Sequence, residues 1–203
     1  MAGLDRTADR YLAAQDPVLR ELITHLSLPE IVSTQHLFHD LMSCVIEQQI
    51  HYRSSKKQFE KMLLLADISL LTPDNFEVFE KKALLKTKLS ARKYQTIAAV
   101  LEFFGDDVPD WAQMDDTEVR STLGSIQGVG RWTVDMLLLY TLGRADVFTA
   151  DDYHLQQIMS RLYGLEQQGL KTAMKSIAER WKPYRSPGLR YLLAWKEAEK
   201  RKK

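Results

Sequence analysis

The stretch LGSIQGVGRWTVDM, residues 123–136, decides how the rest of this sequence is interpreted. A short helical pattern precedes it, and an apolar helical pattern begins within it at Arg131. Gly128 and Gly130 flank the aliphatic Val129, and both glycines let another molecule approach the main chain closely because they lack a Cβ. We predict two helices joined by a tight turn, with Val129 anchoring the turn in the core.

This turn has two interpretations. Paired glycines commonly end one helix before the next begins, which would make the turn purely structural. Alternatively, its amide groups and the partial positive charge at the start of the following helix would bind a phosphate group. A glycine–x–glycine pattern alone does not separate these alternatives, so the residues that follow it carry the argument.

An acidic pair follows the turn after one helix and one loop. Asp151 and Asp152 stand at the start of a predicted helix that continues through Tyr153, His154 and Leu155. An acidic residue at this place is often only an N-cap with a favourable helix-dipole interaction. A carboxylate here could equally act in chemistry, and these residues alone leave both interpretations open.

Helical periodicity extends through nearly the whole sequence. Apolar residues recur at helical spacing from Leu37 to Ile46 and from Tyr94 to Phe104, and no run alternates as a strand would. Start signals and glycine breaks punctuate these stretches, namely Thr72-Pro73, Ser90, Gly105, Gly143, Gly164 and Gly188. We therefore predict an all-α protein of about ten helices.

Composition narrows the class of protein. The chain of 203 residues is 45% hydrophobic and 27% charged, which is typical of a globular protein, and it has no apolar run long enough to cross a bilayer. The single cysteine, Cys44, excludes an internal disulfide, a cysteine-based zinc site and a four-cysteine iron–sulfur cluster. Because no signal-peptide pattern begins the sequence, we expect a cytoplasmic protein.

Positive charge is concentrated in two places, although the net charge is only +1. Such clusters either neutralise phosphates or form ordinary solvated helix faces. The first comprises Lys81, Lys82, Lys86, Lys88, Arg92 and Lys93, and the second Arg180, Lys182, Arg185, Arg190, Lys196, Lys200, Arg201, Lys202 and Lys203.

Three ordered motifs together resemble the helix-hairpin-helix (HhH-GPD) DNA glycosylase superfamily, and most closely its 3-methyladenine DNA glycosylase II family. They are Gly-Val-Gly-Arg-Trp-Thr at 128–133, Asp-Val-Phe-x-x-Asp-Asp-Tyr at 146–153 and Trp-Lys-Pro-Tyr-Arg-Ser at 181–186. The resemblance covers roughly residues 15–195. It implies an all-α fold of two lobes with a cleft between them. It also implies one domain over 1–203, with the hairpin at about 117–142 and a basic tail at 196–203.

The resemblance implies a monofunctional glycosylase that flips alkylated purines from duplex DNA, hydrolyses the N-glycosidic bond and leaves an abasic site. Asp152 matches the catalytic aspartate, because Asp152-Tyr153-His154-Leu155 fits the superfamily form Asp-x-His-(Ile/Leu). Trp132 stands where strand-nicking relatives carry the lysine that forms a Schiff base, so water is the expected nucleophile.

The resemblance also implies which residues contact DNA and base. Two departures make the pocket less aromatic, since Met136 replaces a pocket tyrosine and Leu193 a pocket tryptophan, with Trp195 two positions later. The implied backbone contacts are Gln127, Gly128, Val129, Gly130, Arg131 and Thr133. The implied pocket and wedge residues are Trp132, Tyr153, Met136, Gln48 and Gln49.

No cofactor is expected beyond a monovalent cation at the hairpin, and we expect a monomer in the bacterial cytoplasm and nucleoid. Two alternatives stay open. If Asp152 only caps a helix, the chain is a non-catalytic DNA-binding module of the same hairpin class. If an amine forms an imine with the sugar, the chain is a glycosylase with lyase activity, which the absence of lysine at position 132 disfavours.

Overall fold

The computed structural model describes residues 7–28, 31, 33–47, 57–105 and 108–201. Within these ranges the regular structure is helical and no strand occurs, so the predicted all-α class is confirmed. Short 3₁₀ turns at Pro73–Asn75 and Leu84–Lys86 and a π-helical turn at Leu137–Thr141 accompany the α-helices. The α-helices are α1 Thr7–Gln15, α2 Pro17–His25, α3 Leu37–Ile46, α4 Lys57–Ala66, α5 Phe76–Lys82, α6 Ala91–Gly105, α7 Asp116–Gly124, α8 Arg131–Met136, α9 Tyr153–Tyr163, α10 Leu170–Glu179 and α11 Arg185–Arg201.

The helices form two compact units. The terminal unit comprises residues 1–31 and 143–203, and therefore holds α1, α2 and α9 to α11. The middle unit comprises residues 32–142 and holds α3 to α8. The hairpin predicted at about 117–142 lies in the middle unit, whereas the acidic pair lies in the terminal unit.

A buried carboxylate organises the terminal unit. Asp16 is fully buried and caps α2, since its Oδ1 accepts hydrogen bonds from the amides of Val18 at 2.9 Å and Leu19 at 3.1 Å. Its Oδ2 accepts from Trp181 Nε1 at 2.9 Å and from the Tyr163 hydroxyl at 3.1 Å. One carboxylate therefore connects the start of α2, the end of α9 and the segment between α10 and α11.

The middle unit is built around α3. All ten residues of α3 are buried, including Asp40 and His39, which goes beyond the one-sided stripe that its sequence predicts. His39 Nδ1 accepts a hydrogen bond from the Leu71 amide at 2.9 Å, and Asp40 Oδ2 accepts one from the Thr141 hydroxyl at 2.7 Å. Helix α3 packs against α6, α4 and the π-helical turn. These hydrogen bonds offset part of the cost of burying His39 and Asp40 in the core.

Most of the predicted helix boundaries are confirmed, but the break at Gly188 is wrong. Gly188 lies inside α11, where a Cβ would meet Trp181 Cε3 at 3.1 Å and Leu19 Cδ1 at 3.3 Å. The glycine is therefore required for close packing between helices and not for a turn. Gly164 does end its helix, α9, in a left-handed conformation with φ of 63°.

No helix in the part of the chain that the structure describes is long and apolar enough to cross a membrane. The predicted basic tail at 196–203 is helical as far as Arg201, because α11 continues through it.

Candidate active site

The predicted hairpin is present in the middle unit. Helix α7 begins with a capping box in which the Asp115 side chain accepts from the Glu118 amide and the Glu118 side chain accepts from the Asp115 amide. Val129 is buried between the two exposed glycines, as predicted. Helices α7 and α8 pack together, and Arg120 forms an ion pair with the buried Asp135. This pair ties the two arms of the hairpin to each other.

The two glycines of the turn have different physical reasons to be glycine. Gly128 has φ of +86°, and a Cβ there would overlap Thr96 Oγ1 and lie 3.0 Å from Thr96 Cβ. Gly130 has φ of −92° and ψ of 166°, and a Cβ there would meet nothing within 4 Å. The fold therefore requires glycine at 128, whereas at 130 only a close approach by another molecule would require it.

Gly128→Ala is expected to destabilise the middle unit by about 2 to 4 kcal/mol, because the methyl group adds a steric overlap to an unfavourable φ. Urea unfolding followed by circular dichroism measures this free energy. Adding Thr96→Ala should recover part of the loss, because it removes the overlap but not the strained φ. Stability of Gly128→Ala within about 0.5 kcal/mol of the native value would contradict the packing described here.

Asp152 is the N-cap residue of α9 in the terminal unit. Its Oδ1 accepts a hydrogen bond from the Leu155 amide at 2.7 Å, and its side chain is half-buried. Asp151 is exposed and forms an ion pair with Lys171 at 2.7 Å. The structure therefore distinguishes the two acids, since Asp152 is fixed by the helix that it caps and Asp151 makes a surface contact.

Arg185 and Ser186, the first residues of α11, hold the segment that leads to Asp152. Arg185 contacts Asp146 in a bidentate geometry, with Nε to Oδ1 at 2.7 Å and Nη2 to Oδ2 at 2.9 Å. Ser186 Oγ donates to the Arg144 carbonyl at 2.6 Å and accepts from the Val147 amide at 2.9 Å. We call Asp146, Arg185 and Ser186 the clamp. The motifs at 146–153 and 181–186 therefore contact each other through the clamp, which fixes the chain segment that leads to Asp152.

Three polar or aromatic side chains lie at the start of α9 and on α11. Tyr153 is 65% exposed, which is unusual for an aromatic side chain and suits a stacking surface. Its ring packs edge-on against His154, with centroids 5.4 Å apart. His154 Nδ1 contacts the ammonium of Lys196, which lies on the adjacent helix α11. Burial lowers the pKa of Lys196, as does Lys200, whereas Asp152 and Glu197 act in the opposite direction.

The remaining hairpin residues differ in how far their side chains are exposed to solvent. Gln127 and Arg131 are exposed, and Trp132 is half-buried. Thr133 and Met136 are buried, so in this conformation their side chains are not presented to a ligand. For Thr133 this leaves the main-chain amide as the group available for the predicted backbone contact.

Gln48 and Gln49, predicted as pocket and wedge residues, lie outside the described residues. The end of α3 just before them is firmly held. Glu47 is buried and its Oε1 accepts from the Phe59 amide at 2.7 Å, while Lys93 Nζ donates to the Ile46 carbonyl at 2.7 Å. Burial lowers the pKa of Lys93, and the Glu47 charge opposes that effect.

The chain is similar in sequence to known proteins. No protein-family model matches the chain. The chain is 26% identical over 167 residues to DNA-3-methyladenine glycosylase 1 of Schizosaccharomyces pombe, an alignment that covers 80% of this chain and 72% of that protein. The alignments with this relative and with two others cover between 59% and 72% of the length of each relative.

Solved structures agree with the sequence comparison. A DNA-3-methyladenine glycosidase from Bacillus halodurans superposes with a TM-score of 0.73 at 27% identity, covering 93% of this chain and 88% of that one. In sequence and in fold, the chain is similar to 3-methyladenine DNA glycosylases. The S. pombe 3-methyladenine DNA glycosylase in complex with abasic DNA shares the fold of this chain, with a TM-score of 0.75 at 24% identity over 91% of this chain and 94% of that chain.

Trp195, two positions after Leu193, contacts a charged side chain of α9. The ring of Trp195 lies under the guanidinium of Arg161, 4.9 Å from its carbon to the ring centroid, and Arg161 also contacts Glu199. Trp195 is therefore engaged in a cation–π contact between α9 and α11. Leu193 is half-buried on the same helix.

Two features of the structure were not predicted from the sequence. Lys196 appeared only as part of a basic tail, because no sequence pattern links a lysine on α11 to the start of α9. Asp16, far from every motif, gave no signal beyond its position before Pro17. No group of three His, Cys, Asp or Glu side chains that could hold a metal ion occurs among the described residues.

Proposed function

We propose that the chain is a base-excision-repair DNA glycosylase that flips alkylated purines out of duplex DNA and hydrolyses their N-glycosidic bond. The observation that carries the proposal is the half-buried Asp152 carboxylate, fixed at the start of α9 in a chain that is similar to 3-methyladenine DNA glycosylases. The relatives named above are 3-methyladenine glycosylases, and one of them is solved with abasic DNA. Base flipping accompanies this function, because a base inside the duplex stack is out of reach.

The chemistry assigned to Asp152 is electrostatic. As the base leaves, positive charge develops on the deoxyribose, and a nearby carboxylate stabilises this transition state more than the neutral ground state. The hydrogen bond from the Leu155 amide holds the carboxylate in one orientation, so little reorganisation is needed during the reaction. The same carboxylate orients or deprotonates the attacking water.

Water is the proposed nucleophile, and the product is an abasic site in an intact strand. Trp132 offers no amine at the hairpin, so no imine forms from that position. Its half-buried indole is suited to line a base pocket. If borohydride trapped a protein–DNA adduct, the alternative of a glycosylase with lyase activity would replace this proposal.

The hairpin is proposed to bind the DNA backbone. The first amides of a helix have no intrahelical acceptor, and Gly130 as N-cap of α8 has no side chain to cap them. A phosphate would bind there with the help of the helix dipole. A monovalent cation beside this phosphate, held by hairpin carbonyls, is part of the same proposal.

Gly130→Ala is expected to weaken binding to duplex DNA about three- to tenfold, and equally for all sequences, because phosphate contacts carry no base information. Its stability should stay native, since the added methyl group meets nothing within the protein. Fluorescence anisotropy with two unrelated duplexes measures the affinity, and urea unfolding serves as the control. Unchanged affinity would remove the hairpin from the DNA interface.

A panel of duplexes, each with one damaged base, tests the function itself. We expect released base and alkali-labile sites from duplexes containing 3-methyladenine or 7-methylguanine, and none from undamaged DNA. No base release from any duplex, together with measurable DNA binding, would favour the non-catalytic binding module instead.

The narrower assignments follow from the same resemblance. We propose a glycosylase of the 3-methyladenine DNA glycosylase II type, acting as a monomer in the bacterial cytoplasm and nucleoid. The three motifs at 128–133, 146–153 and 181–186 support the type. Analytical ultracentrifugation tests the monomer.

A further inference from the structure

The proposed mechanism does not use Lys196, a charged residue near the start of α9, where Asp152 lies. It lies on α11, which packs against α9, and its ammonium contacts Nδ1 of His154, two residues after Asp152. Since a protonated lysine only donates, His154 Nδ1 is the acceptor in this contact. The contact holds the ammonium near the start of α9 and removes much of the freedom of a surface lysine.

We propose that Lys196 is a specificity-determining residue whose positive charge lowers the preference of this site for cationic bases and favours neutral damaged bases. The inference rests on the proposed function, since it needs Asp152 to be the group that faces the sugar. It names the neutral lesions, such as hypoxanthine or ethenoadenine, as the class that Lys196 favours relative to 7-methylguanine and 3-methyladenine.

The charges around Lys196 support this role. Two carboxylates attract the Lys196 ammonium, Asp152 at the start of the neighbouring helix α9 and Glu197 on the same helix, and Glu197 is also paired with Lys200 at 2.9 Å. Asp151, the other acid at this place, pairs with Lys171 at 2.7 Å. Lys196 is half-buried, so its charge is less screened by water than that of an exposed lysine.

The selectivity follows from net charge and not from the exact pose of the ligand. A cationic lesion nucleoside carries one positive charge before and during bond cleavage, because the charge only moves from base to sugar. A neutral lesion nucleoside carries no net charge at either stage. An ammonium nearby therefore opposes the first substrate throughout the reaction and affects the second much less.

Two abasic analogues in the same duplex isolate this effect. A pyrrolidine nucleotide carries a protonated ring nitrogen, whereas a tetrahydrofuran nucleotide is neutral and of similar shape. The ratio of their dissociation constants cancels contacts to phosphates and differences in the folded fraction, because both duplexes share them. We define the selectivity ratio as the Kd for tetrahydrofuran DNA divided by the Kd for pyrrolidine DNA.

Lys196→Met should raise the selectivity ratio about three- to tenfold, as expected for removing one partly screened charge. Lys196→Arg should leave the ratio within about twofold of wild type, because the charge is retained. Lys200→Met is the matched control one turn along α11, and it should also change the ratio less than about twofold. If Lys196→Met fails to accumulate as a folded protein, Lys196→Gln gives the same readout.

Base release provides a second readout in the same direction. Lys196→Met should increase the single-turnover rate for 7-methylguanine relative to that for hypoxanthine or ethenoadenine. An unchanged selectivity ratio in Lys196→Met and Lys196→Gln would overturn the inference. Asp152→Asn separates this failure from failure of the proposed function. It should lower the ratio if Asp152 faces the sugar, and leave it unchanged if Asp152 is only a cap.

Discussion

Asp152→Asn is expected to lower the single-turnover rate of base release by about 10²- to 10⁴-fold while DNA affinity stays near the wild-type value. The substitution removes the negative charge that would stabilise the sugar cation. It keeps the helix cap, because asparagine caps helices as well as aspartate and its oxygen can still accept from the Leu155 amide. Loss of activity in this variant therefore reports charge and not misfolding.

The measurement is base release under single-turnover conditions from a duplex with one 7-methylguanine, with anisotropy for affinity. Asp151→Asn is the matched control, since it removes the same charge from the adjacent residue. Asp151 pairs with Lys171 on the surface, so we expect at most about a threefold change. Equal losses in both variants would show that the wrong acid was chosen or that the pair is only structural.

Asp16→Ala is expected to destabilise the protein by about 3 to 5 kcal/mol, because it leaves several buried donors without their acceptor. Trp181 is fully buried and its indole N–H donates to Asp16. Burial raises the pKa of Tyr163, and the neighbouring Asp16 adds to that effect, so the phenol stays protonated and keeps donating. The variant also removes the cap of α2.

Urea unfolding measures this loss, with Asp9→Asn as a control. Asp9 accepts a single hydrogen bond at 2.9 Å, from the Tyr191 hydroxyl, at a half-buried position of the same unit. We expect the control to cost about 1 kcal/mol or less. A similar small cost for Asp16→Ala would mean that the carboxylate is not the organising centre of the terminal unit.

These two predictions are linked through the architecture of the terminal unit. Trp181 binds Asp16 through its indole N–H, and its ring packs edge-on against Phe148, with centroids 5.8 Å apart. Phe148 lies between Asp146 and Asp152 in the chain. Loss of Asp16 should therefore disturb the segment that leads to Asp152 as well as the stability of the unit.

Arg185 and Ser186 give the third motif a structural role within the terminal unit. Both residues belong to the third sequence motif, and both hold main-chain or side-chain groups of residues 144–147. A bidentate arginine–carboxylate contact is directional, so it fixes orientation as well as distance. The motif is best understood as the support for Asp152.

The sequence by itself determined the fold class and the hairpin. Helical spacing, capping residues and paired glycines are local properties, so α3, α6 and the turn at Gly128–Gly130 were predictable from neighbours along the chain. The order of three motifs gave the resemblance to the superfamily. The choice of Asp152 over Asp151 follows from that resemblance and stays a prediction.

Only the tertiary structure decided which residues far apart in sequence act together. Lys196 meets His154, Asp16 meets Trp181, and Thr96 meets Gly128 across 42, 165 and 32 positions, respectively. Gly188 looked like a break, but close packing against Trp181 is what requires it. The physical reason is that side-chain packing and the screening of charge depend on distance in space, which helical periodicity does not contain.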